Sequence, residues 1–202
     1  MIFIYQPETD PFFNIAAEDF LLKNSPDDFI MLWQNKPSVI IGKHQNTFAE
    51  VNLDFVNKNN IPVIRRMSGG GTVYHDLGNI NFTMITSENN PEKLIDFRKF
   101  TEPLILFLKS LGIEAAFESK NNLKVNGKKI SGNSAHVKKD KIMHHGTLLF
   151  NTNLRNLENS IKPPKTNITD KAVKSVRATV TNISKELDDK MPIEKFRFEL
   201  QR

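Results

Sequence analysis

The chain contains no cysteine, so disulfide bonds, thiolate metal ligands and a cysteine nucleophile are excluded whatever its fold. It also lacks an apolar run approaching the roughly 20 residues that span a bilayer, which argues against a membrane protein. Residues 1–13 have neither a basic region nor a long apolar stretch, so no secretory signal is expected. Together these absences predict a cytoplasmic protein.

The amino-acid composition of the chain is typical of a globular protein. Hydrophobic residues make up 39% and charged residues 25% of the 202 residues, which opposes wholesale disorder and fits one domain of ordinary size. The net charge of +5 indicates a preference for anionic partners, but a surplus this small does not identify nucleic acid as one of them.

Hydrophobic periodicity predicts a mixed α/β order, with too many adjacent strands for a plain βαβ series. The predicted helices cover residues 12–23, 52–60, 92–111 and 193–201. The predicted strands cover residues 1–5, 29–33, 38–42, 62–64, 81–86, 113–117, 122–125, 129–131, 143–150 and 176–183. Pro103 predicts a kink or a break, and Gly127 and Gly132 predict turns. Residues 162–170 are expected to form an irregular loop, and Ser184 to cap a closing helical stretch.

The most unusual segment joins two arginines to three consecutive glycines. Arg65 and Arg66 precede Gly69, Gly70 and Gly71, whose backbone N–H groups no Cβ covers, as a phosphate-binding loop requires. Adjacent residues of a strand point to opposite faces, so one arginine can reach a ligand while the other braces the loop. The alternative is a flexible hairpin with two solvated arginines. The segment matches neither a P-loop nor a dinucleotide fingerprint.

Two further segments contain candidate residues. Most lysines between residues 120 and 141 are expected to be solvated, but Lys129 enters an apolar and small segment, residues 130–132, where a backbone can approach a ligand. His144 and His145 are adjacent on a predicted strand and face opposite sides, so they are not expected to bind one metal ion.

Four motifs, in this order, resemble the lipoate–protein ligase family, part of the wider biotin/lipoate ligase superfamily. They are Arg65-Arg66-x-Ser68-Gly-Gly-Gly71-x-Val-x-His75-Asp76-x-Gly78-Asn79, Gly127-x-Lys129-Ile-Ser131-Gly132, His145-Gly-Thr-Leu-Leu149 and Lys174-Ser-Val-Arg177-x-x-Val-Thr-Asn182. Residues 14–18 and 33–46 are similar to the family as well, so the similarity runs nearly end to end.

The resemblance implies a catalytic domain with mixed, largely antiparallel sheets flanked by helices, as in class II synthetases. It implies an enzyme that uses ATP to convert lipoate to lipoyl-AMP and then passes the lipoyl group to a specific lysine of an acceptor domain. Lys129 is the implied catalytic residue, bridging the lipoyl carbonyl and the α-phosphate, and Arg65 and residues 71–74 are implied nucleotide contacts. The binding residues implied in this way are Arg65, Arg66, Ser68, Gly69, Gly70, Gly71, Thr72, Val73, Tyr74, His75, Asn79, Lys129, Ser131, Gly132, His145, Gly146 and Thr147.

The same resemblance implies ATP, Mg²⁺ and lipoate as ligands. The implied partners are lipoyl-acceptor proteins, namely E2 lipoyl domains of 2-oxoacid dehydrogenases and proteins of the glycine-cleavage H type, with no nucleic acid and no membrane. Asn122 stands where the family commonly has aspartate, so no metal ligand is assigned.

Family members usually continue beyond the last motif, so residues 1–202 are expected to form one catalytic domain that lacks its end and the small C-terminal domain, or receives them from a separate chain. Two alternatives therefore stay open. One is a lipoyltransferase that uses preformed lipoyl-AMP only, and the other is a non-catalytic adenylate-binding protein.

Overall fold

A computed structural model describes residues 1–87, 95–118, 121–161 and 171–201 of the chain. The predicted loop 162–170 and the first residues of the helix predicted at 92–111 (92–94) lie outside the described residues. The rest forms a mixed α/β fold in which two sheets carry helices on their faces. This arrangement confirms the predicted fold class.

The larger sheet has seven strands in the spatial order β1-β2-β6-β10-β9-β8-β7. All neighbouring strands pair antiparallel except β1 and β2, which are parallel. The strands are β1 (Ile2–Gln6), β2 (Phe29–Trp33), β6 (Asn79–Ser87), β7 (Ala116–Glu118), β8 (Asn122–Val125), β9 (Lys128–Lys138) and β10 (Lys141–Leu149).

The smaller sheet has three strands in the order β4-β3-β5. They are β3 (Ser38–Ile41), β4 (Val63–Arg65) and β5 (Val73–His75). Strand β3 pairs parallel with β4 and antiparallel with β5. The strands β2 and β3, which are consecutive in the sequence, therefore belong to different sheets, and the turn between them carries the chain from one sheet to the other.

The helices α1 to α5 each begin after a residue whose side chain accepts a hydrogen bond from an amide of the first turn. Asp10 accepts from the amide of Phe13, Asn52 from that of Phe55, and Asp96 from that of Lys99. The described helices are α1 (Pro11–Asn24), α2 (Thr47–Glu50), α3 (Leu53–Lys58), α4 (Phe97–Ser110), α5 (Leu154–Ser160) and α6 (Ile193–Leu200). Pro103 lies inside α4 without ending it. No helix in the described ranges is long and apolar enough to cross a membrane.

Three predictions about the second half of the chain are wrong. Gly132 is not a turn but lies within β9, which continues to Lys138 because β8 and β10 supply partners on both sides. The segment 176–183 is not a strand, since Val180 alone forms a bridge, to Lys129. Ser184 lies in a 3₁₀ turn (Ile183–Lys185), and the closing helix α6 follows a Pro192 cap instead.

The hydrophobic core lies on both faces of the larger sheet. One face packs against α4 and α6, with Phe82, Leu108 and Phe196 fully buried between them. The opposite face packs against α1 through Leu22, Phe29, Ile85 and Met143. A third cluster joins the smaller sheet to α3 and α5. The space between α1 and the larger sheet is where the polar side chains of the candidate site are buried.

His144 is a buried imidazole on the α4 face of the sheet. Its ring stacks on Phe82 and Phe100, and the edge of Phe97 packs against it. Its Nε2 lies 3.3 Å from Oδ1 of Asn133. Burial, and secondarily the charge of His145, lowers the pKa of His144 from 6.5 to about 3. The ring is therefore neutral in the folded protein at neutral pH.

The free energy of unfolding should decrease as the pH falls below about 6.5. An unfolded histidine binds a proton in this range, whereas His144 in the folded protein stays neutral down to about pH 3. Stability from this group is complete above the unfolded pKa and falls by about 1.4 kcal/mol for each pH unit below it. Replacing His144 by phenylalanine should make the pH dependence shallower by that slope, as measured by urea unfolding from pH 7 to 4. An equal slope in wild type and His144→Phe would contradict the assignment.

Candidate active site

A cavity of about 260 Å³ lies between α1, the larger sheet and the loop that joins β4 to β5. Its floor is the α1-facing side of the larger sheet, where Trp33 pairs with Asn81 and Asn81 pairs with Thr147 on neighbouring strands. Thr147 in turn lies beside Gly132, whose amide is 3.4 Å from the threonine hydroxyl. The floor is thus a row of residues that runs across four strands, from β2 to β9.

The glycine loop, residues 68–71, covers one side of the cavity. Gly70 has φ +84°, a conformation that favours glycine, and its turn places Gly70 and Gly71 in the cavity wall. Ser134 on β9 donates to the carbonyl of Gly69 over 2.9 Å, which fixes the loop to the larger sheet. The loop is therefore held by the sheet rather than free, contrary to the flexible hairpin that the sequence also allowed.

Arg65 and Arg66 point to opposite sides, as the pleat of a strand requires. Arg66 is buried, lines the cavity and donates to the carbonyls of Ile40, Gly69 and Gly71. Arg65 is exposed and donates to the carbonyls of residues 42, 43 and 45, outside the cavity lining. Arg66 thus both braces the glycine loop and faces the cavity, whereas Arg65 braces the turn that follows β3.

A chain of hydrogen bonds connects α1 to this loop through the cavity wall. Oε1 of Glu18 lies 2.7 Å from Nδ1 of His145, and Nε2 of His145 lies 2.6 Å from Oγ of Ser68. Nε of Arg66 donates to the same Oγ over 3.0 Å. A carboxylate can only accept, so Nδ1 of His145 carries a proton and donates it to Glu18. Ser68 is fully buried outside the cavity lining, so its hydroxyl links the histidine to the arginine and is not a nucleophile.

In this chain of hydrogen bonds, the buried positive charge of Arg66 is offset by the buried carboxylate of Glu18. Burial lowers the pKa of Arg66 to about 10, and the charge of Glu18 acts against that effect. Glu18 also accepts from the hydroxyl of Thr83 over 2.6 Å, and Thr83 accepts from Nε1 of Trp33 over 2.9 Å. Glu18 is the one acidic residue in the lining of the cavity within the described ranges, and its oxygen is already engaged by two donors.

Lys129 places a second cation at the other end of the floor. Its backbone N–H donates to the carbonyl of Thr179, and its carbonyl accepts from the amide of Thr181. Its side chain folds back over Gly132, where a Cβ would lie 2.7 Å from Nζ. Burial, and then the charge of Arg66, lowers the pKa of Lys129 below its usual value. No carboxylate among the described residues forms an ion pair with it.

Residues 173–181 form the connecting segment, and residues 173–176 of it line the cavity. The hydroxyl of Ser175 accepts from the amide of Thr72 and from Nε2 of Gln45, each over 2.9 Å. The amide of Val173 donates to the carbonyl of His44. Lys174 adds a third cation to the lining. The cavity therefore holds three cations against one carboxylate that is already paired, which suits an anionic ligand with an apolar part.

The structure brings the three predicted segments together around one cavity. The predicted residues that line it are Arg66, Gly70, Gly71, Thr72, Val73, His75, Lys129, Gly132, His145, Gly146 and Thr147. The predicted residues that do not line it are Arg65, Ser68, Gly69, Tyr74, Asn79 and Ser131. Tyr74 lies in the core of the smaller sheet. Asn79 does not line the cavity but donates from Nδ2 to Oδ1 of Asn81, which does.

Some lining residues were absent from the predicted set. They are Ile15, Glu18, Trp33, Ile40, Asn81, Asn121, Asn122, Asn133, Ser134, Val173, Lys174, Ser175 and Val176. Ile15, Glu18, Trp33, Ile40, Lys174, Ser175 and Val176 lie in segments that resemble the family, although the predicted binding set did not include them. Glu18 has a further signal, because Asn14 and Glu18 are polar residues four apart on a largely apolar helix, and both are buried. Asn81 and Asn133 have no such signal, since their position depends on the pairing of strands distant in sequence.

The described residues do not by themselves form a magnesium site. They contain no group of three or more histidine, aspartate or glutamate side chains that could hold a metal ion. Magnesium is commonly bound through substrate phosphates with few protein ligands, so such a group of side chains is not required for magnesium binding.

Comparison with known proteins gives the family of the chain. The model of the lipoyl protein ligase A/B catalytic domain matches residues 10–202, so the chain belongs to this family. Lipoate-protein ligase LplJ of Bacillus subtilis (strain 168) is 45% identical over 205 residues, covering 100% of this chain and 62% of that protein. Lipoate–protein ligase 1 of Staphylococcus aureus (strain Mu50) is 43% identical over 191 residues, covering 94% of this chain and 58% of that protein. The chain thus spans less than two thirds of these relatives.

Solved structures are similar along nearly the whole chain. A bipartite lipoate protein ligase from Thermoplasma acidophilum, described with its E2 lipoyl domain, has a TM-score of 0.84 at 28% identity and covers 99% of this chain and 80% of its own. A lipoate-protein ligase A bound with ATP has a TM-score of 0.83 at 27% identity, with 98% and 81% covered. LipL1 of P. falciparum in complex with lipoate has a TM-score of 0.82 at 28% identity, with 98% and 57% covered.

Proposed function

We propose that this domain catalyses both steps of an ATP-dependent lipoate–protein ligase. In the first step it converts lipoate to lipoyl-AMP, and in the second it transfers the lipoyl group to a lysine of an acceptor domain. The observation that carries the proposal is the Lys129 ammonium, which has no carboxylate partner in the described part of the chain and sits at the end of a cavity lined by the glycine loop.

The first step needs a cation between two anions. An oxygen of the lipoate carboxylate bonds to the α-phosphorus of ATP. The bond from the α-phosphorus to the oxygen that bridges it to the β-phosphorus breaks, and pyrophosphate leaves. Two unit charges 4 Å apart repel by about 4 kcal/mol at an effective dielectric constant near 20. The Lys129 ammonium replaces this repulsion by attraction to both groups and stabilises the charge that develops on the transferred phosphorus. The compact charge of lysine on a flexible stem suits this position.

The floor of the cavity supports an orientation for the acyl chain. With the carboxylate at Lys129, the chain runs along Gly132, Thr147 and Asn81 towards Trp33. Neighbouring strands lie roughly 4.8 Å apart, so this row from β9 to β2 spans about 14 Å, enough for a lipoyl group. Lipoate in complex with the P. falciparum relative and ATP bound to lipoate-protein ligase A agree with this pair of ligands.

In the second step the acceptor lysine must be neutral to attack the acyl carbonyl. Its amine forms an amide with the carbonyl carbon, AMP leaves, and the amine proton is released. An apolar, cationic cavity favours a neutral amine because burial and neighbouring positive charge both lower a lysine pKa. We propose E2 lipoyl domains and H-type proteins as acceptors, and the E2 lipoyl domain described with the Thermoplasma relative supports the first.

A mass-spectrometric assay tests this proposal. The purified chain is incubated with lipoate, ATP, MgCl₂ and a lipoyl domain, and we expect the acceptor to gain one lipoyl group while pyrophosphate is released. Acceptor modification with preformed lipoyl-AMP but not with lipoate and ATP would identify a lipoyltransferase. Binding of lipoyl-AMP with no gain of mass under either condition would contradict an enzyme and leave an adenylate-binding protein.

A further inference from the structure

Two N–H groups in the lining of the cavity have no hydrogen-bond partner among the described residues. They are Nε2 of His75 and Nδ2 of Asn81. His75 is 4% exposed and Asn81 1%, so the protein covers both side chains almost completely. Buried donors without partners are rare in folded proteins and point to a ligand that supplies an acceptor.

A series of hydrogen bonds through Asn14 and Asn35, anchored on backbone carbonyls, determines which ring nitrogen of His75 carries the proton. Nδ2 of Asn14 donates to the carbonyls of Glu8 and Gln34 and also to Oδ1 of Asn35. The free side of Asn35 is therefore its amide Nδ2, which lies 3.1 Å from Nδ1 of His75. Since Nδ1 accepts this bond, the neutral ring carries its proton on Nε2. His75 thus presents a donor, and not an acceptor, to the cavity.

The side-chain amide of Asn81 also presents a donor without a partner. Its Oδ1 accepts from Nδ2 of Asn79 over 2.7 Å, which leaves its own Nδ2 without a partner. Both donors lie at the end of the cavity away from Lys129. Asn81 pairs with Trp33, the ring of His75 packs edge-on against Trp33, and Gly132 beneath the ammonium is two strands away, about 10 Å.

We propose that His75 and Asn81 select an acyl ligand whose distal end carries a hydrogen-bond acceptor over one that ends in hydrocarbon alone. This inference rests on the proposed function, which places the carboxylate at Lys129 and the other end of the ligand at these donors. In lipoate the acceptor is a sulfur of the dithiolane ring. A hydrocarbon chain of the same shape leaves both donors buried and unpaired, and a protein site built to hydrogen-bond a ligand discriminates against such an analogue.

A matched series of carboxylic acids separates shape from hydrogen bonding. Isothermal titration of the wild-type chain compares lipoate with 5-cyclopentylpentanoate, which keeps the five-membered ring without an acceptor, and with 5-(oxolan-3-yl)pentanoate, whose ring oxygen is a stronger acceptor. Because sulfur accepts weakly, we expect lipoate to bind about tenfold more tightly than the carbocycle. The oxolane should bind at least as tightly as lipoate.

Two variants then assign the effect to the donors. His75→Phe and Asn81→Leu remove one N–H each at similar size, and each should reduce the ratio of lipoate to carbocycle affinity towards one. Both affinities are measured on the same sample, so a partly folded variant does not alter their ratio. Equal affinities in wild type, or an unchanged ratio in both variants, would overturn the inference while leaving the proposed function intact. Failure of all three acids to bind would overturn both.

Discussion

Replacing Lys129 by alanine should slow the formation of lipoyl-AMP by about a thousandfold, the effect of removing a preorganised charge from a transition state. The variant should fold, because the backbone bonds of residue 129 to Thr179 and Thr181 do not depend on its side chain. Pyrophosphate release with lipoate and ATP measures the first step, and acceptor mass after addition of lipoyl-AMP measures the second.

A neighbouring lysine provides the control for this variant. Lys128 precedes Lys129 on β9 and is exposed outside the cavity lining. Lys128→Ala removes the same formal charge from the same strand and should leave both rates within about twofold, since a solvated charge is screened by salt. Comparable losses in the two variants, or a normal rate in Lys129→Ala, would remove Lys129 from its proposed role.

Adding one methyl group at Gly132 should lower the same rates by about a hundredfold with little loss of stability. The new Cβ would lie 2.7 Å from Nζ and 2.9 Å from Cε of Lys129, so the ammonium must move away from its position over the strand. The atoms that must move belong to the end of a flexible side chain, and the backbone of Gly132 lies in regular β9, so the fold accommodates alanine.

The double variant tests whether the methyl group acts through the ammonium. If it does, Gly132→Ala should have no further effect in a Lys129→Ala background, where nothing remains to be displaced. Thermal unfolding of each protein reports stability separately. Losses that multiply in the double variant would show that Gly132 contributes by another route, for example by direct contact with the acyl chain.

Much of the fold follows from local sequence. The caps of α1 and α3 and the apolar periodicity of α4 each depend on a few neighbouring residues. The helices α1 and α3 were predicted within about two residues of their bounds, whereas α4 begins at Phe97 and not at residue 92 as predicted. The course of β9 through Gly132 was not predicted because pairing with β8 and β10 outweighs the turn preference of a glycine. Residues 176–183 alternate like a strand but find one pairing position, Val180 beside Lys129.

In the candidate site, too, some features follow from local sequence and others depend on tertiary contacts. Arg65 ends β4 and Arg66 follows it, so alternation along the extended chain predicted that they point apart, and only the pairing of this segment with β3 decided that Arg66 faces the cavity. The glycine loop and Lys129 were recognised from ordered motifs. Asn14, Asn35 and His75 lie far apart in sequence, so the hydrogen bonds that place the His75 proton depend on tertiary contacts that no local pattern contains.

The two attachments of the connecting segment limit what can be inserted into it. Ser175 is bound to Thr72 at the glycine loop, and Thr179 is bound to the backbone of Lys129. Surface loops usually tolerate added residues because the entropy of closing a longer loop rises slowly with length. Between these two attachments an extra residue would instead shift one site relative to the other. The intervening chain therefore sets the spacing between the glycine loop and Lys129, so its length is constrained although it is not part of a sheet.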